Sequence, residues 1–255
     1  MIKTALITGA TSGIGYEFVK LFSRGGYNLV VVGRNEEKLD EIEQVFHHVE
    51  ITRIQKDLSK PGAAKEIFEE LSKLGITIDV VVNNAGFGLL GEFDTVSLEE
   101  QSRMIQLNIT ALTELTHYFL PYMKKMNDGK IVNIASTAAF QPGPLMAVYY
   151  ATKAYVLSFS EALAEELKGK NITVTTICPG ATKTNFGAAA NVEHTIMFSN
   201  AMDAKEVAKQ SYEGIMKGRR VVIPGAKNKA GAYAAKFLPR SLTAKIAKAV
   251  AGEKE

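Results

Sequence analysis

Tyr149 and Lys153 stand four residues apart in an apolar, helix-forming run from Met146 to Lys168. On a helix that spacing puts both on one face, one turn apart. A phenol is a weak acid, with an unperturbed pKa of about 10, and an ammonium one turn away lowers it by favouring the phenolate. A tyrosine so placed could give a proton to a carbonyl oxygen or take one from an alcohol. Many ordinary helices carry Tyr and Lys at this spacing, so the pair gains meaning from its surroundings. Thirteen residues before Tyr149, the apolar segment Lys130 to Ala135 ends at Ser136. A hydroxyl there falls at the carboxyl end of a buried strand, where doubly wound sheets bind their ligands.

The elements that must hold these groups can be read around them. Thr4 to Thr8 is a short apolar run that stops at Gly9-Ala10-Thr11-Ser12-Gly13-Ile14-Gly15, and Ile14 to Arg24 has helical periodicity. Strand, Gly-rich loop and helix, in that order, are the context a nucleotide-binding loop requires. The glycines let the backbone approach a pyrophosphate, whose charge meets free N–H groups at the helix N-terminus. A plain tight turn would use the same glycines. Asn28 to Val32 is an unbroken β-branched run, read as a strand buried on both faces. It ends at Gly33-Arg34-Asn35, with no carboxylate before Glu36. NAD-selective sheets place an acidic residue near this point for the ribose 2′-hydroxyl, whereas an Arg accommodates a 2′-phosphate. Arg34 therefore points to NADP(H); the competing reading is a solvent-exposed Arg at a helix start.

Glu36 to His48 reads as a charged helix. Its His47-His48 pair projects in different directions and lacks a partner cluster, so no metal is assigned. Val49 to Gln55 forms a third strand leading to Asp57 and Leu58, and the strand from Asp79 runs into Asn83-Asn84-Ala85-Gly86. Phe87 to Gly91 reads as a mobile apolar loop suited to one wall of a substrate cleft. Leu98 to Lys125 is a long helix with Asn108 inside it, a modest helix former in that place.

Together these residues resemble the short-chain dehydrogenase/reductase family in its standard-length form. T-G-x-x-x-G-x-G at Thr8 to Gly15, N-N-A-G at Asn83 to Gly86, Ser136 followed by Y-x-x-x-K, and Pro179-Gly180 match in order and spacing, from residue 3 to about residue 224. The resemblance implies an α/β fold: a single Rossmann-type domain with a doubly wound, mostly parallel sheet of about seven strands and helices on both faces. It implies a catalytic set of Asn108, Ser136, Tyr149 and Lys153. In that set Tyr149 is the general acid/base, and Ser136 holds the substrate oxygen. Lys153 binds the nicotinamide ribose and lowers the Tyr149 pKa. Asn108 locally kinks its helix and links a proton relay to solvent through a water. The cofactor residues so implied are Gly9, Thr11, Ser12, Gly13, Ile14 and Gly15 in the loop, and Arg34, Asp57 and Leu58 toward the adenosine. Asn84, Ala85 and Gly86 form the floor, and Tyr149, Lys153, Pro179, Gly180, Thr182 and Thr184 complete the set. Asp57 could instead cap the helix after Pro61.

The expected activity is NADP(H)-dependent interconversion of a carbonyl and a secondary alcohol, on ketones or keto esters. A dedicated fatty-acyl or steroid substrate is the alternative. A non-catalytic NADP(H) sensor and a membrane-associated scaffold are further readings, but neither needs the intact Ser136, Tyr149 and Lys153 set. After Pro179-Gly180 an Ala-rich, poorly patterned stretch runs through Asn200, which the family closes over substrate and nicotinamide. Phe186, Met197 and Phe198 are its apolar lid candidates, or ordinary core.

Composition sets outer bounds. With 255 residues, 46% hydrophobic and 22% charged, and no Pro, Gly or Ser linker, the chain reads as one domain over 1–255, with 225–255 a basic C-terminal extension. The net charge of +3, without basic clusters interleaved with aromatics, argues against nucleic acid. Cys178 is the sole cysteine, read as buried and inert, so no internal disulfide forms and a reducing compartment fits. With no room for a signal peptide before the first strand and no run of roughly 18–20 apolar residues, the expected location is cytoplasmic. The helix from Met146 is apolar nearly all round, so it needs a partner on both sides. A homodimer or homotetramer would supply one, as would cover from the extension. Lys227 to Lys254 is broken at Pro239 and carries Leu242, Ile246 and Val250 on one stripe. It is expected to dock on its own body or a neighbouring subunit in preference to an anionic membrane surface.

Overall fold

The computed structural model describes residues 2–252; Met1 and residues 253–255, the end of the basic extension, lie outside the described residues. The first half alternates strand and helix: β1 (Thr4–Thr8), α1 (Gly13–Arg24), β2 (Asn28–Gly33), α2 (Glu36–Val45), β3 (Ile51–Gln55), α3 (Ala63–Lys73) and β4 (Val80–Asn83). There follow α4 (Leu98–Ile105), a π-helical turn (Gln106–Ala111), α5 (Leu112–Met126), β5 (Gly129–Ile134), a 3₁₀ turn (Thr137–Phe140), α6 (Ala147–Glu166) and β6 (Ile172–Ile177). The last part holds β7 (Thr182–Lys183), α7 (Asn185–Ala189), a second 3₁₀ turn (Ile196–Phe198), β8 (Met202–Asp203), α8 (Ala204–Met216), β9 (Val221–Val222), α9 (Ala226–Phe237) and α10 (Arg240–Val250).

Seven strands form one sheet in the order β3-β2-β1-β4-β5-β6-β9, and each neighbouring pair is parallel. The order reverses between β1 and β4, which opens a crevice at the carboxyl ends of those strands. Strand periodicity divides the core in two. Leu6, Val30, Val32, Val81 and Ile131 face one layer, with Ile67, Leu115 and Phe119 from the helices on that side. Ala5, Ile7, Val31, Val80, Val82 and Val132 face the other, with Phe18, Phe22 and Ala208. Since both faces are covered, the strands need no polar alternation, which is why they read as continuous apolar runs.

Beneath the crevice a buried polar network ties the layers. Asn83 Nδ2 donates to Asn133 Oδ1 at 2.9 Å and to Thr116 Oγ1 at 3.1 Å, and Asn133 Nδ2 donates to Ser160 Oγ at 2.8 Å. One network thus fixes β4, β5, α5 and α6 relative to each other.

Several boundaries differ from the sequence reading. The long helix expected over Leu98 to Lys125 is divided where a kink was expected at Asn108, by a π-helical turn, a feature frequent at functional sites. The stretch after Gly180 is not without pattern: it holds the small β7–β8 pair and α7, whose N-cap Thr184 accepts from Phe186 N at 3.2 Å. In the extension, α10 buries Thr243, Ala247 and Ala251, while Leu242 and Ile246 are 43% and 46% exposed. The expected stripe was thus turned by about one residue, because close packing here selects small side chains over large apolar ones. Neither does the extension cover the outer side of α6, where Ala151, Ala154, Tyr155, Ser158 and Ala162 are exposed.

Candidate active site

The glycine loop sits at the crevice because Gly9 and Gly13 take φ of +64° and +56°, a region L side chains rarely adopt. A Cβ on Gly15 would lie 2.1 Å from the Gly9 carbonyl oxygen and 2.5 Å from Asn84 Nδ2. The loop therefore closes backbone on backbone at the start of α1, and Ser12 makes no side-chain cap there. The first N–H groups of that helix keep their capacity for an anion. Asn84 fixes the loop from below, donating to Thr8 O at 2.9 Å and Gly9 O at 3.2 Å, while Thr8 Oγ1 accepts from Asn84 N and Ala85 N. Gly13 faces the Thr184 methyl group from the opposite wall.

The same cleft, about 690 Å³, is lined by all the residues assigned from sequence except Gly15 and Asn108. Gly15 lies under the loop and Asn108 behind the floor, each one layer back from the surface. At one end of the cleft Arg34 is exposed beside Asp57 and Leu58. Asp57 Oδ1 accepts from Ser59 N and Ser59 Oγ at 3.0 and 2.7 Å. These bonds, with Arg34 and Arg103, hold its carboxyl below the ordinary range against the opposing effect of burial. Asp57 does not cap α3, whose N-cap is Gly62.

At the other end, β5 delivers Ser136 and α6 delivers Tyr149 and Lys153. Ser136 Oγ accepts from Ala138 N at 3.1 Å and donates to Pro179 O at 3.3 Å, which orients the hydroxyl from both sides. Lys153 Nζ donates to Ile134 O at 2.8 Å and lies 5.8 Å from the Tyr149 ring centre. Burial draws the Lys153 pKa down from 10.5 to about 8. Burial also pushes the Tyr149 pKa well above the ordinary phenol value, with the neighbouring Ser136 hydroxyl pulling weakly the other way. The phenol is thus less acidic than an ordinary one, where the sequence reading expected Lys153 to acidify it. Desolvation penalises the phenolate of so buried a side chain.

Asn108 is 2% exposed; its Oδ1 accepts from Phe87 N at 3.1 Å, and its Nδ2 donates to Phe87 O at 2.9 Å and Thr152 Oγ1 at 3.1 Å. It thereby joins the π-helical turn, the Phe87 loop and α6 into one unit. Cys178 is buried, and burial raises its thiol to about 12, leaving it neutral.

Sequence reasoning missed Lys56 and Arg103 beside Asp57, and Gln141, Asn228 and Val250 elsewhere in the lining. Lys56 was findable, since it stands directly at the carboxyl end of β3. Asn228 was not: it comes from α9, and its amide lies so close to Gly180 that a Cβ there would meet it at 2.4 Å.

The short chain dehydrogenase family model matches residues 3–195. The uncharacterized oxidoreductase YvrD of Bacillus subtilis is 38% identical over 192 residues, 75% of this chain and 72% of that protein. A short-chain dehydrogenase from Sphingobium yanoikuyae, solved in complex with NADPH, superposes with a TM-score of 0.82 at 31% identity, covering 94% of this chain and 98% of that one. The bulky-bulky ketone specific alcohol dehydrogenase from Comamonas testosteroni gives 0.77 at 31% identity, over 94% and 96%. With its parallel seven-stranded sheet and the matched motifs at its crevice, this chain belongs to the short-chain dehydrogenase/reductase family, oxidoreductases that act on alcohol and carbonyl groups.

Proposed function

We propose that the protein is an NADP(H)-dependent reductase of ketones or keto esters, with Tyr149 as its general acid. The observation that carries this reading is the convergence of Ser136, Tyr149 and Lys153 at one end of a cleft whose other end holds the glycine loop and Arg34. When bound, NADP(H) supplies the hydride. The loop N–H groups and the start of α1 suit its pyrophosphate, and Arg34, with Lys56 nearby, suits a 2′-phosphate. Gly86 lets the floor pack closely on Asn108 and Lys153, since a Cβ there would meet Asn108 Oδ1 at 2.9 Å and Lys153 Nζ at 3.4 Å.

Tyr149 holds its proton firmly in its buried setting and gives it up when alkoxide charge develops beside it. Ser136 turns its single O–H from Pro179 O to the same oxygen and stabilises that charge. Lys153, mostly protonated at neutral pH, holds the ribose hydroxyls and favours the phenolate left behind. Asn108 positions Lys153 through Thr152 and the α6 backbone, and connects the relay to solvent. Pro179, Gly180, Thr182 and Thr184 close the nicotinamide end. We read 1–255 as one working domain in the cytoplasm, supported by its single buried cysteine. A homodimer through the exposed side of α6 is part of the proposal: Tyr155 there stacks on Phe159 at 5.8 Å, and exposed Ile105 belongs to the adjoining α4.

The test is NADPH oxidation over ketones, keto esters, acyl thioesters and steroids, repeated with Tyr149→Phe. The variant is expected to bind NADPH normally and lose about 10⁴ in turnover or more, the upper end for general acid–base help. No turnover by the wild type on any class, or a larger loss in Tyr150→Phe than in Tyr149→Phe, would refute the assignment.

A further inference from the structure

The charged side chains lining the cleft are distributed unevenly. Apart from Lys153 they are Arg34, Lys56, Asp57, Glu100 and Arg103, all at the adenosine end, where Arg103 lies within 3.9 Å of Asp57. Beyond Tyr149 the walls are Phe87, Met146, Phe186, Met197, Phe198 and Val250, with only uncharged polar groups such as Gln141 among them. Val250 comes from the extension, beyond the stretch that defines the family. It is seated by its neighbours: Ala247 and Ala251 are buried, and Gly252 O accepts from Ile196 N at 3.1 Å. That bond ties the end of α10 to the turn carrying Met197 and Phe198, so two separate segments make one apolar wall.

Resting on the reductase reading above, we propose that the substrate is a neutral, mainly apolar ketone or its secondary alcohol, and that Val250 limits its size. A carboxylate or sulfonate on the substrate would leave water here without a cationic partner, a cost that falls directly on binding. The matched pair ethyl acetoacetate and acetoacetate isolates this effect, because the two share the reacting ketone and differ in charge. The wild type is expected to favour the ester in kcat/KM by about 100-fold or more. Met197→Arg places a cation on the wall and is expected to narrow that preference by about tenfold or more. Val250→Trp fills the wall and should lower kcat/KM for benzophenone by at least about tenfold relative to cyclohexanone, and Val250→Ala should shift the ratio the other way. NADPH binding, read by fluorescence, reports whether each variant is folded.

The outcomes separate the two levels of argument. Absence of reduction with every neutral and charged carbonyl defeats the underlying reading. Acetoacetate used as well as its ester leaves the reductase standing and overturns the apolar assignment. Unchanged size ratios in both Val250 variants, with NADPH binding intact, overturn the role of the extension.

Discussion

Replacing Lys153 with methionine should change how stability depends on pH, in a direction fixed by burial. Lys153 is 5% exposed, and its pKa falls from 10.5 to about 8 on folding because the ammonium loses its water. A displacement of that size corresponds to roughly 3 kcal/mol, carried by the folded state while the lysine is charged. Below about pH 8 folded and unfolded chains are both protonated, so the cost is fully present. Between about pH 8 and 10.5 the unfolded chain binds more protons than the folded one, so this group makes stability rise by about 1.4 kcal/mol per pH unit. The substituted thioether side chain would carry no charge, and the remaining groups titrate alike in both proteins. The wild type should therefore gain roughly 2 kcal/mol on Lys153→Met between about pH 7 and pH 9.5. The chain has no tryptophan, so urea unfolding of the nucleotide-free protein is best followed by far-ultraviolet circular dichroism. Parallel stability curves for the two proteins would show that Lys153 is not desolvated, and the argument for a neutral, poorly acidic Tyr149 beside it would fail too.

Arg34→Asp should repel a 2′-phosphate and move the kcat/KM ratio toward NADH; a wild type that already prefers NADH, or an unmoved ratio, defeats the NADP(H) assignment. Gly15→Ala forces a methyl group against the Gly9 carbonyl, so NADPH affinity should fall at least about tenfold. Gly231→Ala, in a helix with open space at that position, should stabilise by up to about 1 kcal/mol and leave NADPH affinity alone. Equal nucleotide affinity in the two glycine variants would mean the loop is not the cradle described. Deleting residues 227–255 should lower thermal stability or assembly more than membrane affinity; strong vesicle binding by the full chain, lost on deletion with the fold intact, would show the opposite.

The strands and the glycine loop were legible in the sequence because their causes are local. A β-branched run such as Asn28 to Val32 has few uses besides a strand covered on both faces. The Y-x-x-x-K spacing needs only helical geometry to bring Tyr149 and Lys153 together. The kink at Asn108 was legible only through the family resemblance, because the apolar period persists through the π-helical turn. Asn108 in that turn bonds to Phe87 and Thr152, partners distant in sequence.

Residue order by itself determined the family, the alternating α/β architecture and the motif residues that line the cleft, since these depend on motif spacing and strand periodicity. Tertiary structure alone decided the proton affinities, because desolvation depends on what surrounds a side chain, and that reversed the expected acidification of Tyr149. It also decided which face of α10 is buried. Ala247 and Thr243 fit against the body where Leu242 and Ile246 do not, while Val250, from the expected stripe, still reaches the cleft. No period in the sequence distinguishes those two stripes; only the shape of the surface they meet does.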